Sequence, residues 1–253
     1  MKKILKYSSI VILLIVLIII IICFPQLYYF DNKLTYKNFN VYSDKPITPE
    51  IYLILDKVDI LIKKSEIYDP TLQFKIFIRS DYSVHNALPW QFSNSAYAIT
   101  RPIIRNIFIS KGNLQSNVAY KISGGSRHLD EIIAHETVHV LIENKFKNDR
   151  AKFPEDWTKT GFLWKEEGYA DYIARDSTLD INKVLSLLQN KTDIKLSTYE
   201  LEYFKYWFAI NYLFEKKKIK IKELMQSQIS LDNILNDAMH EMNTHGTKSH
   251  PPK

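Results

Sequence analysis

The chain is poor in cysteine, glycine and proline, and each scarcity closes off a class of protein. One cysteine, Cys23, occurs in 253 residues, so neither a disulfide framework nor a cysteine-ligated zinc site can form within the chain. Six glycines and nine prolines exclude collagen-like and low-complexity architectures. No charge of one sign dominates: 34 Lys and Arg stand against 28 Asp and Glu, a formal +6. What is present is a core-forming composition, 46% apolar and 25% charged. That is enough for one ordinary domain or two small ones, and too apolar for a disordered chain. Any metal must be held by His and carboxylates.

The charge and the apolar residues are unevenly spread. Lys2, Lys3 and Lys6 precede a stretch of 24 uncharged residues from Tyr7 to Phe30, and its centre, Ile10 to Cys23, holds only Ile, Leu, Val and the one Cys. About 20 apolar residues in a helix span a bilayer core, so residues 1–30 predict an N-terminal membrane anchor, with Tyr28, Tyr29 and Phe30 at the far interface. The small residues of a signal-cleavage site are missing after Ser9, which favours an uncleaved, single-pass anchor. Three lysines before the span against Lys33 and Lys37 after it favour a cytoplasmic N-terminus and an extracytoplasmic remainder. With the three leading lysines set aside, 31 basic residues face 28 acidic ones. They are scattered, which gives no support to a nucleic-acid partner.

Residues 31–125 read as strand-rich. Phe39–Tyr42, Leu72–Arg79 and Ile107–Ser110 are β-branched and aromatic, and Ala96–Thr100 is a weaker strand. Residues 49–64 interrupt them with a helix, because Ile51, Ile54, Leu55, Val58 and Leu61 share one face. Residues 81–94 and 111–125 read as loops, and Gly124-Gly125 punctuates the change. From Ser126, a candidate N-cap, to residue 242 the chain reads as helices: to about Phe146, then 163–175, 181–188, 198–217, and 220–242 with a break near Ser230. Residues 243–253 read as a flexible tail.

The chemistry concentrates at His135-Glu136-Thr137-Val138-His139. In a helix, positions i and i+4 share a face, so both imidazoles can reach one zinc ion. Glu136 lies beside them and suits the role of general base toward a zinc-activated water. Ile132, Ile133, Val138, Leu141 and Ile142 surround the motif, as in a buried helix. A catalytic zinc needs a third protein ligand. The pattern that continues x-x-G-x-x-H is excluded, because Ile142 and Lys145 occupy those positions. Downstream, Glu166 and Glu167 lie in Trp164-Lys165-Glu166-Glu167-Gly168-Tyr169-Ala170-Asp171. Leu163, Glu167, Ala170, Asp171 and Ala174 share one helical face, and Gly168 and Ala170 are small enough for close approach to the His helix.

The HETVH motif followed by W-x-x-E-G-x-A-D resembles the gluzincins, the zinc metallopeptidases of the thermolysin and alanyl-aminopeptidase type, and is closest in style to the compact peptidase MA-like domains. The resemblance covers about residues 126–215. It implies that Glu167, separated from His139 by 27 residues, is the third ligand, with Glu166 the alternative. It implies that Asp171 accepts the second ring N–H of a ligand His and fixes its tautomer. A later Tyr in a Y-x-K context supplies the oxyanion donor in aminopeptidase-type members; Tyr203-Phe204-Lys205 is similar, and Tyr206 is the alternative. The aminopeptidase G-x-M-E-N segment is absent. The implied fold is α+β: a small mixed sheet with a helix, packed on a mainly helical zincin active-site subdomain and preceded by one transmembrane helix. The edge strand that lines up peptide in such folds maps to Asn106–Ser110. The implied function is a membrane-anchored zinc metallopeptidase acting on peptide or protein substrates. The alternative is a non-catalytic zinc-binding or scaffold protein that keeps the fold; the intact Glu136 argues against it.

Overall fold

The computed structural model describes residues 2–27, 29–82, 94–150, 153, 163–175 and 198–246. The helix read at residues 181–188 lies outside them, as do Tyr28 and residues 247–253. The chain packs as two compact units, residues 1–59 with 69–140, and residues 60–68 with 141–253.

The first unit is built on a mixed five-stranded sheet. Its strands are β1 (Asn32–Tyr36), β2 (Phe39–Ser43), β3 (Phe74–Ile78), β4 (Ala98–Arg101) and β5 (Asn106–Ile109), in the order β1-β2-β3-β5-β4. The three central strands β2, β3 and β5 run parallel, and the two outer strands are antiparallel to their neighbours. Parallel strands are covered on both faces and so carry near-continuous apolar runs. Here Val41, Ile76 and Ile107 lie in one register row, and Tyr42, Phe77 and Phe108 lie in the next. All six are buried. The second row stacks ring on ring, with centroids 5.0 Å and 4.8 Å apart, and Phe30 caps it at 5.1 Å. The crossover between β2 and β3 is α2 (Glu50–Ile62), whose Ile51, Ile54, Leu55, Val58, Leu61 and Ile62 are buried while Leu53 and Ile60 are exposed.

This region departs from the sequence-based expectations. The edge beside β5 is taken by β4, so Asn106–Ile109 is an interior strand and every one of its residues is buried. Residues 111–125 are not simply loop: β6 (Lys111–Asn113) and β7 (Val118–Tyr120) join β8 (Ser126–His128) in a second, antiparallel sheet. Ser126 therefore sits in a strand and not at a helix N-cap. Strands of three residues are too short for an alternating pattern to be read.

The N-terminus departs from the expected membrane anchor as well. The helix α1 (Lys2–Cys23) forms, but among the described residues no helix is long and apolar enough to cross a membrane. Lysines and serines occupy the start of α1, and its uninterrupted apolar run, Ile10–Cys23, is 14 residues. That is about 21 Å of helix at 1.5 Å per residue, against a hydrocarbon core of about 30 Å. The end of α1 is tied to the sheet instead: Asn106 Nδ2 donates to the Cys23 carbonyl at 3.2 Å, and the Lys75 ammonium lies over the Phe24 ring at 5.5 Å.

Helix α3 (Leu129–Phe146) follows β8. Its first turn is capped from the β6–β7 connection. Asn117, in the left-handed region at φ 52°, accepts from the Asp130 amide through Oδ1 and from the Leu129 amide through its carbonyl, and donates through Nδ2 to Asp130. The second unit holds α4 (Trp164–Ala174), α5 (Thr198–Asn211), a π-helical turn at Tyr212–Lys216, α6 (Ile221–Gln226) and α7 (Leu231–Gly246). The helix read over 198–217 changes pitch at Tyr212, and the one read over 220–242 is interrupted at 227–230 and reaches Gly246.

Candidate metal centre

The motif lies in the middle of α3. Leu129, Ile132, Ile133, Ala134, Val138, Val140, Leu141, Ile142 and Phe146 are all buried, so this helix is apolar on most of its circumference, as a core helix must be. Thr137 returns its hydroxyl to the Ile133 carbonyl at 2.7 Å, which satisfies that buried polar side chain within the helix. His135 and His139 are thus presented from a rigid support.

Their Nε2 atoms face one another at 3.2 Å. Two imidazole nitrogens so placed need a proton on one of them, unless a cation lies between two lone pairs. Two ring nitrogens this close can both serve as ligands of one metal ion. Glu167 completes the set: ligand atoms of His135, His139 and Glu167 all lie within 4.8 Å of one another. Two imidazoles and one carboxylate can hold a metal ion, and three protein ligands leave a position open.

Glu136 is only 9% exposed. Thr100 of β4 donates its hydroxyl to Glu136 Oε2 at 2.5 Å and also lies 3.2 Å from the Glu136 carbonyl. Nothing in the sequence marked Thr100, which is 36 residues away and reaches Glu136 only through the fold.

Glu166 has a different environment from Glu167. Arg150, just past the end of α3, pairs with both Glu166 oxygens at 3.0 and 3.1 Å and with Glu143 of α3 at 2.7 Å. This two-pronged pairing fixes the first turn of α4 against the end of α3 and engages the alternative ligand. Arg150 also escaped the sequence reading.

Asp171 is fully buried, and its Oδ2 accepts from both Nε and Nη2 of Arg175 at 3.0 and 2.9 Å. Gly168 is small for a reason other than the His helix. A Cβ built on it would lie 2.6 Å from the Tyr206 carbonyl oxygen and 2.7 Å from Ile210 Cγ1. The glycine therefore lets α4 and α5 touch backbone to backbone. On α5, Tyr203 is half-buried and Tyr206 fully buried, with ring centroids 5.7 Å apart. The Tyr206 hydroxyl donates to Glu202 at 3.4 Å, and that side chain belongs to the packing of α5. No protein-family model matches the chain, and no curated protein matches it.

Proposed function

We propose that this protein is a zinc metallopeptidase of gluzincin type. The observation that carries the reading is the convergence of His135, His139 and Glu167 around a helix whose Glu136 is buried between the two histidines in sequence. His135 and His139 through Nε2, and Glu167 through a carboxylate oxygen, are the residues that would hold zinc. Zinc, when bound, supplies Lewis-acid chemistry, lowering the pKa of a water toward neutrality and polarising a carbonyl.

The chain's own residues do the rest. Glu136 takes the proton from the attacking water and passes it to the leaving amine, which couples the two proton transfers of peptide hydrolysis at one carboxylate. Asp171 acts by orientation, as a buried carboxylate one turn beyond Glu167. Tyr203 is the oxyanion donor in this reading, and its partial exposure supports it over the buried Tyr206.

Purified wild type and Glu136→Gln, each with its zinc content measured, should be offered a mixed peptide library. Equal zinc with cleavage by the wild type alone supports the reading. Stoichiometric zinc with no cleavage by either protein replaces it with a zinc-binding or scaffold role.

A further inference from the structure

A general base needs a fixed direction as well as a suitable carboxylate. The terminal torsion of a Glu side chain is broad and intrinsically unselective, so something must choose which oxygen faces the reaction. The hydroxyl of Thr100 on β4 makes a contact with that capacity. Thr100 Oγ1 lies 2.5 Å from Glu136 Oε2 and 3.2 Å from the Glu136 carbonyl. A hydroxyl has one hydrogen, and the shorter, charge-assisted contact receives it.

Thr100 is well placed to hold this direction. It pairs with Ile107 in the β4–β5 ladder, and β5 is buried along its whole length. Its Cβ is branched, so χ1 is stiff. The hydroxyl is thus delivered from a rigid strand to a rigid helix, the arrangement that holds a reacting group closest to its working geometry.

We infer that Thr100 is a positioning residue for the base: its hydroxyl pins Glu136 Oε2 and leaves Oε1 as the oxygen that exchanges the proton. This rests on the reading of Glu136 as the base of a peptidase. Thr100 touches no substrate in this scheme and acts only through Glu136.

Two substitutions and one thermodynamic cycle test it. Thr100→Val keeps the shape and removes the hydroxyl, while Thr100→Ser keeps the hydroxyl. Thr100→Val is expected to lower kcat about 10- to 100-fold with KM and zinc content unchanged, and Thr100→Ser to recover kcat to within about threefold of wild type. In the metal-free protein, Thr100→Val is expected to lower the melting midpoint when Glu136 is present and to lose that effect in a Glu136→Ala background. Additive melting shifts overturn the contact. Equal loss of kcat in the Val and Ser variants, or an unchanged kcat in Thr100→Val, overturns the positioning role. Coupled melting shifts in a protein that cleaves no peptide support the grip of Thr100 on Glu136 and overturn the peptidase reading alone.

Discussion

Replacing Gly168 with alanine sets two effects of opposite sign against each other. Alanine is favoured over glycine inside a helix by about 1 kcal/mol, so Gly168→Ala stabilises α4 if nothing stands in the way. What stands there is the Tyr206 carbonyl oxygen, 2.6 Å from the new Cβ, with the Tyr206 carbonyl carbon at 2.9 Å and Ile210 Cγ1 at 2.7 Å. Ordinary contact begins near 3.4 Å, so α4 and α5 must part by about 0.8 Å. Ile210 can turn a methyl aside, but the backbone of α5 cannot. Overpacking of this kind costs about 1–3 kcal/mol, which outweighs the propensity gain. The net expectation is a loss of up to about 2 kcal/mol, and at about 2–4 °C per kcal/mol for a chain of this size a drop of several degrees in the melting midpoint. Glu167 precedes the glycine and rides on the same helix, so zinc affinity should fall about tenfold as the ligand loses its supported position. Thermal unfolding and zinc titration of Gly168→Ala measure both. An alanine variant more stable than wild type by about the helix-propensity increment, with zinc affinity intact, would refute the close α4–α5 contact.

Arg150→Met removes the guanidinium that holds Glu143 and Glu166. Arg150 is 35% exposed, so solvent weakens the pairs and the stability loss should stay at about 1 kcal/mol. Zinc affinity should fall about three- to tenfold as the first turn of α4 loosens, and an unchanged zinc titration would remove Arg150 from the account. Tyr169 gives a pH prediction. Burial pushes its hydroxyl up to about 12, and that hydroxyl shares a 2.8 Å hydrogen bond with Ser65. An unfolded tyrosine ionises at about 10. Between those values the unfolded chain binds fewer protons than the folded one, so stability falls as pH rises. In Tyr169→Phe the melting midpoint should decline less steeply above about pH 10 than in wild type, and an identical slope would contradict the burial of that hydroxyl.

The sequence carried local patterns further than it carried the contacts between elements. α2 occupies the span its apolar spacing indicates, because one face of that helix is buried and the other is wet. The central strands were legible through Phe, Ile and Val runs, which a doubly covered parallel sheet requires. The motif was legible as a spacing, although α3 shows little amphipathic contrast, because it is buried nearly all round. The misreadings share a cause. Ser126 has the residue type of an N-cap, but the amides of α3 are met by Asn117 from another segment. Asn106–Ile109 has the composition of a strand, but no local pattern told that β4 would cover its edge. The small size of Gly168 was plain in the sequence, whereas the neighbour it accommodates was not. At the N-terminus, the length of the uncharged stretch outweighed the shorter purely apolar run within it.

The central claim is that His135, His139 and Glu167 form one metal-binding set. Zinc titration of metal-free wild type, Glu167→Ala and Glu166→Ala tests it most directly. Wild type and Glu166→Ala are expected to bind about one equivalent, as one three-ligand site requires, and Glu167→Ala to lose tight binding. Loss of binding in Glu166→Ala with retention in Glu167→Ala would contradict it.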